Sequence, residues 1–240
     1  MFDQIAGRYD KLNRLLSVGI DTGWRKKAIL QLRDDDPKYI LDVATGTADM
    51  AILACRYLKP EKVLGIDISR QMLELGKKKV EKEGLTSMIQ LQEGDSETIK
   101  HSENTFDAVM VAFGVRNFEN LERGLNEMLR VLKPGGRLII LEFSKPRRRF
   151  VRKLYNLYMS AVAPEVARWF RQNKKAYQYL CESSNIFPDR NLFTEILNKV
   201  GFTGTSFKPL SLGICCIYNG RKPARPVSAG DRSGTGGAVA

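Results

Sequence analysis

The chain has 240 residues, 43% of them hydrophobic, and this length suits one domain with a full core. No run of 18 apolar residues occurs and the start, MFDQIAGRYD, lacks the pattern of a secretory signal, so we expect a cytoplasmic protein without a transmembrane helix. The net charge of +12 would suit a nucleic acid or an anionic membrane surface as a partner.

Short β-branched apolar runs alternate with helical segments through the first 143 residues. Residues 3–23 are predicted to form a short helix and a loop, and a second helix is predicted from Trp24 to about Leu32, ended by three aspartates and Pro37. Strands are predicted near 38–43, 62–67, 88–92, 106–112 and 137–143, and helices near 49–58, 70–83 and 120–132. This alternation predicts an α/β fold, with a mostly parallel sheet covered by helices on both faces.

The pattern changes after residue 145. Residues 146–182 are predicted to be helical, basic and aromatic, and residues 190–200 form a further predicted helix that ends at Gly201. The segments TSFKPL and GICCIYNG are predicted to be two strands, paired in antiparallel fashion at the end of the sheet, which brings the sheet to seven strands. Residues 223–240 hold too few apolar side chains to fold, and we expect them to be disordered.

Metal binding is not expected. The chain has four cysteines, no Cys-x-x-Cys pair and a single histidine, His101. Disulfides are disfavoured in the cytosol, and so few sulfur and imidazole groups argue against a zinc site. We therefore predict structural thiols and no bound metal.

Two predicted strands end in an acidic residue, Asp42 in YILDVATG and Asp67 in VLGIDIS. An adenosine-containing cofactor is typically held at the carboxyl ends of parallel strands in this way. A dinucleotide-binding turn would have the pattern G-x-G-x-x-G, whereas this turn keeps a central Gly46 and is followed at once by Asp49. Asp42 and Asp49 would repel a pyrophosphate but not a sulfonium with an amino group, which favours S-adenosylmethionine.

Each of these groups has an expected contact. Asp42 would lie near the cofactor ammonium, Gly46 would let the backbone close on it, and Asp67 would accept both ribose hydroxyls. Asp95, in EGDSE after the third strand, would meet the adenine amino group, with the Ser96 backbone nearby. Any one of the acids could instead cap a helix or hold a turn. Their order at consecutive strand ends favours the cofactor.

Three segments resemble the quinone C-methyltransferases, a family of Rossmann-like class I methyltransferases. They are YDKLNRLLSVGIDTGW (9–24), FGVRNF (113–118) and RVLKPGGRLIILEFS (130–144), and the similarity covers roughly residues 2–222. The resemblance implies C-methylation of demethylmenaquinol or, in some members, of the ubiquinone precursor, and a homodimer is a further expectation. It places Thr47, with Asp67, Asp95 and Ser96, at contacts to S-adenosylmethionine.

The chain departs from the family pattern at four positions. Thr45 and Ala48 stand where glycine is common, Asp21 where histidine is common, and Ala112 where serine is common. Ala48 would narrow the cofactor loop, and Ala112 would offer a backbone contact only.

The implied reaction transfers a methyl group to a ring carbon, which becomes nucleophilic only when an adjacent hydroxyl of pKa about 10 loses its proton. Arg116 is the candidate that would hold the developing phenolate, because its guanidinium is permanently charged. Asn117 would orient a ring oxygen. An ion pair between Arg116 and Glu142 is the competing interpretation.

The resemblance also implies a domain organisation. A helical lid over residues 1–36 would carry Tyr9 and Asp10 and close over the pocket of a methyltransferase domain at 37–222. Residues 145–175 hold ten Lys or Arg against one acid, Glu165, and aromatic side chains lie between them. The insertion at 146–182 would therefore cover the polyprenyl tail of the substrate or lie at an anionic membrane surface. An ordinary helix that packs on the core and exposes a solvated basic face is the alternative that stays open.

Three other functions stay open at the level of the sequence. Positive charge would suit an RNA methyltransferase, but here the charge lies in a helix that shares apolar residues with the domain, so nucleic acid is not the expected partner. A non-enzymatic subunit of a quinone-synthesis assembly would not need an intact cofactor set. A methyltransferase for another small molecule is the third alternative, because a fold does not determine a substrate.

Overall fold

The computed structural model describes residues 19–153, 155, 157, 158 and 187–224. Tyr9, Asp10 and most of the predicted lid and insertion lie outside the described residues, as does nearly all of the predicted tail. No helix among the described residues is long and apolar enough to cross a membrane.

Seven strands form one sheet within the described ranges. They are β1 (Tyr39–Val43), β2 (Lys62–Asp67), β3 (Ile89–Glu93), β4 (Phe106–Ala112), β5 (Leu132–Phe143), β6 (Thr203–Leu210) and β7 (Cys215–Arg221). Their order is β3-β2-β1-β4-β5-β7-β6. The first five strands are parallel, and β7 runs antiparallel to both β5 and β6. The predicted α/β fold with an antiparallel end to the sheet is confirmed.

Five α-helices with defined bounds accompany the strands in the described part of the chain. They are α1 (Asp21–Ile29), α2 (Asp49–Leu58), α3 (Arg70–Lys82), α4 (Leu121–Val131) and α5 (Asn191–Val200). α1 begins at Asp21, three residues before the predicted start at Trp24. The apolar periodicity begins at Trp24, whereas the buried face of α1 already includes Asp21, an acidic residue that suits the first turn because of the helix dipole.

β5 also begins earlier than predicted. The sequence predicts this strand only near 137–143, yet Leu132 already pairs with Phe106, and the register shifts before Arg137. Gly135 has φ +78, which glycine adopts without steric cost. The Pro-Gly-Gly segment is therefore an irregularity inside β5, of the kind that bulges produce.

Both faces of the sheet carry a buried core, because side chains of a strand alternate between faces. Ile40 of β1 packs on the face covered by α1, α2 and α3, and its neighbour Leu41 packs on the face covered by α4 and α5. Both side chains are fully buried, and burial of each contributes about 1.5–3 kcal/mol. This packing fixes the strand ends that form the candidate site.

Candidate active site

A cavity of about 220 Å³ opens at the carboxyl ends of the parallel strands. The chain continues from β1 to β2 on one side and β4 pairs with β1 on the other, which makes this the switch point where open α/β sheets bind ligands. Its lining comes from the segments after β1, β2, β3 and β4: Ala44, Gly46, Asp67, Ile68, Met72, Gly94, Asp95, Ser96, Glu97, Gly114, Asn117, Phe118 and Glu119.

Asp67 lines the cavity and is hydrogen-bonded to the loop after β1. Its Oδ2 accepts the backbone N–H of Gly46 at 2.8 Å, and its Oδ1 accepts that of Ser69 at 2.9 Å. Gly46 has φ +57, in the left-handed region that favours glycine. The carboxylate therefore shapes the loop as well as lining the cavity, a double role that its place at a strand end did not indicate.

The lining of the cavity is acidic. Asp95 and Ser96 line it together with Glu97 and Glu119. Asp95 accepts the backbone N–H of Glu97 at 2.8 Å, a local turn contact, so the turn interpretation of this residue also holds. With Asp67, four carboxylates line the cavity, an electrostatic setting that suits a cationic ligand and repels a pyrophosphate.

Asp42 lies behind the cavity wall and is 1% exposed. Its Oδ2 accepts a hydrogen bond from the Thr45 hydroxyl at 2.6 Å, and no partner within the described residues reaches its Oδ1. Burial raises the pKa of Asp42 to about 7, against the lowering effects of the Thr45 hydrogen bond, the charge of Arg25 and the nearby backbone N–H of Ala51. A ligand ammonium would hold this carboxylate in its ionised form.

Thr47 is also buried behind the wall, and a lysine of α3 holds it there. Lys79 donates from Nζ to Thr47 Oγ1 at 2.7 Å and to Asp49 Oδ1 at 2.9 Å. On the same helix, Gly76 packs so closely on Thr47 that a Cβ would lie 3.2 Å from the Thr47 carbonyl carbon. Lys79 was not among the predicted site residues, because it lies in the lysine-rich run 77–79 of an otherwise exposed helix face.

The loop after β1 contains two alanines in the left-handed region, Ala44 with φ +52 and Ala48 with φ +66. Ala48 is the position where the resembling family often has glycine. An L-residue other than glycine adopts this conformation at a cost of about 1–2 kcal/mol. The loop keeps its shape with alanine and carries strain there.

Arg116 does not line the cavity. Its guanidinium pairs with the carboxylate of Glu142, with side-chain exposures of 1% and 0%, and lies 5.4 Å from the centre of the Phe143 ring. The ion pair that was the competing interpretation is thus present. Its neighbour Asn117 does line the cavity, and its buried Oδ1 has no hydrogen-bond partner in the described part of the chain.

A second arginine, which was not among the predicted site residues, lies close to Phe113 and acts electrostatically on Asp42. Arg25 of α1 is 7% exposed and lies 5.0 Å above the centre of the Phe113 ring. Its Nε is 3.7 Å from Oδ2 of Asp21, the residue that stands where the family often has histidine. The Phe113 and Phe143 rings are 4.7 Å apart, so the two arginines flank one aromatic pair.

These residues fit S-adenosylmethionine. The lining acids, the Gly46 turn and Asp42 Oδ1, which has no hydrogen-bond partner in the described ranges, suit a cationic amino-acid and nucleoside ligand. Two lining residues of the cavity are in close contact, since a Cβ on Gly114 would lie only 2.6 Å from the Ala44 Cβ. The described residues contain no group of three His, Cys, Asp or Glu that could hold a metal ion.

Fold and site together define a class I S-adenosylmethionine-dependent methyltransferase. A solved SAM-dependent methyltransferase from Thermotoga maritima is 19% identical with TM-score 0.63, and the match covers 92% of this chain and 97% of that one. One from Aquifex aeolicus is 19% identical with TM-score 0.54, over 77% and 82% of the two chains. At these identities the likeness concerns the fold.

A model of the ubiE/COQ5 methyltransferase family matches residues 1–222, and the chain belongs to this family. It is 45% identical over 222 residues to the demethylmenaquinone methyltransferase of Bacteroides fragilis, covering 92% of this chain and 91% of that protein. It is 43% identical to the ubiquinone/menaquinone biosynthesis C-methyltransferase UbiE of Geobacter sulfurreducens, over 92% and 87%. The predicted family and its dependence on S-adenosylmethionine are confirmed.

Proposed function

We propose that this methyltransferase acts on demethylmenaquinol and adds one methyl group to a carbon of its quinol ring. The observation that carries the proposal is the 45% identity, sustained over 92% of the chain, with a protein named demethylmenaquinone methyltransferase. The benzoquinol precursor of ubiquinone is the second candidate substrate, because relatives at similar identity are named for both quinones.

The cavity residues are assigned to the methyl donor. Asp67 accepts the ribose hydroxyls, and Asp95 with the Ser96 backbone binds the adenine. Gly46 and Thr47 shape the loop over the amino-acid part of the methyl donor, and the Asp42 carboxylate balances the positive charge of its ammonium group. When bound, S-adenosylmethionine supplies an electrophilic methyl group. The role of the protein is to hold it in line with the ring carbon, and such positioning supplies much of the acceleration.

The turn after β4 is assigned to the quinol. The Asn117 Oδ1, buried at the cavity wall without a partner among the described residues, accepts a hydrogen bond from a ring hydroxyl and orients it. Arg116, in the same turn, was the candidate cation for the phenolate, but its guanidinium is 1% exposed and paired with Glu142, so we assign it to the support of the turn rather than to a direct contact with the phenolate. The lid residues Tyr9 and Asp10 exclude water in this proposal.

A contact with the inner face of the membrane completes the proposal, since a polyprenyl quinol resides in the bilayer. Phe150 is 72% exposed between Arg149 and Arg152. Leu212 is 65% exposed with φ +59, and Ser144 ties its loop to the start of this basic segment by a 2.7 Å hydrogen bond to the Gly213 carbonyl. Apolar side chains beside arginines suit an anionic lipid surface.

The test is methyl transfer from labelled S-adenosylmethionine, with mass spectrometry of the product. Chemically reduced demethylmenaquinol, its oxidised form, the benzoquinol precursor and RNA are compared as acceptors. One added methyl on reduced demethylmenaquinol alone supports the proposal. A product only with the benzoquinol favours the second candidate, and a product only with RNA overturns both. Sedimentation with anionic against neutral vesicles tests the membrane contact.

A further inference from the structure

Glu142, near the end of β5, is a carboxylate with no exposed surface beside the candidate site. Within the described part of the chain, one side chain and two backbone groups contact it. Its Oε1 contacts the Arg116 guanidinium and accepts the backbone N–H of Phe143 at 2.9 Å, and its Oε2 accepts the backbone N–H of Arg116 at 3.4 Å. Burial of a carboxylate is costly unless it is paired and hydrogen-bonded, and here both contacts outside β5 go to the same residue.

That residue belongs to a short turn on the cavity wall. Val115–Asn117 forms a single turn of 3₁₀ helix, and its internal support includes the bond from the Asn117 N–H to the Gly114 carbonyl at 2.9 Å. Such a short 3₁₀ turn has poor hydrogen-bond geometry and needs outside support. Glu142 supplies this support from the β5 side, and the close contact between Gly114 and Ala44 limits the turn on the β1 side.

The consequence reaches the cavity through Gly114 and Asn117, which both line it. The Asn117 Oδ1 is buried without a partner in the described ranges, so the turn presents an acceptor that a ligand can use. We propose that Glu142 is a positioning residue, which clamps the Val115–Asn117 turn through Arg116 and thereby fixes the wall of the methyl-donor cavity. The inference rests on the proposed place of the methyl donor in this cavity.

Calorimetry with S-adenosylhomocysteine on the full chain tests this clamp without any methyl acceptor. Glu142→Gln removes the negative charge that faces the Arg116 guanidinium. Glu142→Asp keeps this negative charge but moves the carboxylate away from Arg116 by the length of one methylene. Both variants are expected to bind at least about tenfold more weakly, the loss of one charged hydrogen bond. Thermal unfolding is recorded in parallel, and Glu142→Asp decides the matter if Glu142→Gln does not fold.

Asp35 provides the matched control. It accepts from Arg137 and Arg221 near the opposite end of β5, with its side chain 21% exposed. Asp35→Asn therefore disturbs a partly buried arginine pair that does not touch the cavity, and its affinity is expected to stay within about twofold of wild type.

Affinities of the Glu142 variants within twofold of wild type would overturn the clamp. An equal loss of affinity in Asp35→Asn would also overturn it, because a general loss of stability would then explain the weaker binding of all variants. A wild-type chain that does not bind S-adenosylhomocysteine overturns the clamp together with the donor assignment. A wild-type chain that binds it but methylates no quinol defeats only the proposed substrate, and the comparison of variants still decides on Glu142.

Discussion

Asp67 and Gly46, which both line the candidate cavity, are joined by a 2.8 Å hydrogen bond from the glycine N–H to the aspartate Oδ2. The carboxylate also accepts the Ser69 N–H at 2.9 Å. A carboxylate offers about four acceptor positions, so these two bonds are compatible with further bonds from ribose hydroxyls. The loop after β1 is thus shaped by the same group that is assigned to the ribose.

Asp67→Asn is expected to weaken S-adenosylhomocysteine binding by about a hundredfold, because it removes the charge and one acceptor that the ribose and the Gly46 loop share. Calorimetry at constant pH measures this change. Asp36→Asn is the control, since Asp36 forms an exposed ion pair with Lys38 away from the cavity. Binding by Asp67→Asn within threefold of wild type would contradict the ribose assignment.

Asp42 makes donor affinity depend on pH. Its pKa is raised to about 7 by burial, so below pH 7 the carboxyl is increasingly neutral and cannot compensate a ligand ammonium. Affinity for S-adenosylhomocysteine is therefore expected to rise from pH 5.5 to pH 7.5, approaching about tenfold per unit below the pKa. Titration calorimetry in buffers of different ionisation enthalpy also measures the proton released.

Asp42→Asn removes this titration and is expected to flatten the pH profile of binding. It also changes stability. The folded pKa lies above the unfolded value, so Asp42 favours the folded state least above pH 7 and most below about pH 4. Asp42→Asn should therefore raise the unfolding free energy at pH 8 relative to its effect at pH 4. An unchanged slope of affinity against pH would show that another group titrates.

The strand-end acids were predictable because a strand followed by a turn is a local pattern, and parallel strands bring such ends together. Residues that act through packing were not. Lys79 lies in a lysine-rich helix that suggests a solvated face, and Arg25 lies beside two further lysines. Only the packing of α3 and α1 on the sheet shows which cations turn inward. The burial of Asp42 and Thr47 behind the wall likewise depends on how the loop folds over them.

Lys79→Met is expected to weaken donor binding by about three- to tenfold. The methionine keeps most of the apolar stem but loses the hydrogen bonds to Thr47 and Asp49, whose side chains it holds at 2.7 and 2.9 Å. Lys78→Met is the matched control, because Lys78 is the exposed neighbour on the same helix. Equal affinities of the two variants, measured by calorimetry, would show that the lysine does not order the loop.

Gly114→Ala is expected to distort the cavity, because the new Cβ would lie 2.6 Å from the Ala44 Cβ and 3.3 Å from Val111 Cγ1. Such overpacking costs about 1–3 kcal/mol of stability, and donor affinity should fall with it. Gly23→Ala is the control, since Gly23 lies in α1 with nothing within 4 Å of its added Cβ, and there alanine should stabilise the helix by about 1 kcal/mol.

The collision predicts its own rescue. Ala44 has φ +52, a conformation that glycine adopts without strain, so Ala44→Gly removes the opposing Cβ and suits the backbone. The double variant with Gly114→Ala and Ala44→Gly is therefore expected to regain most of the donor affinity and thermal stability that Gly114→Ala loses. Calorimetry and thermal unfolding of the four proteins form a double-mutant cycle. Additive effects in that cycle would show that these two residues do not meet at the cavity wall.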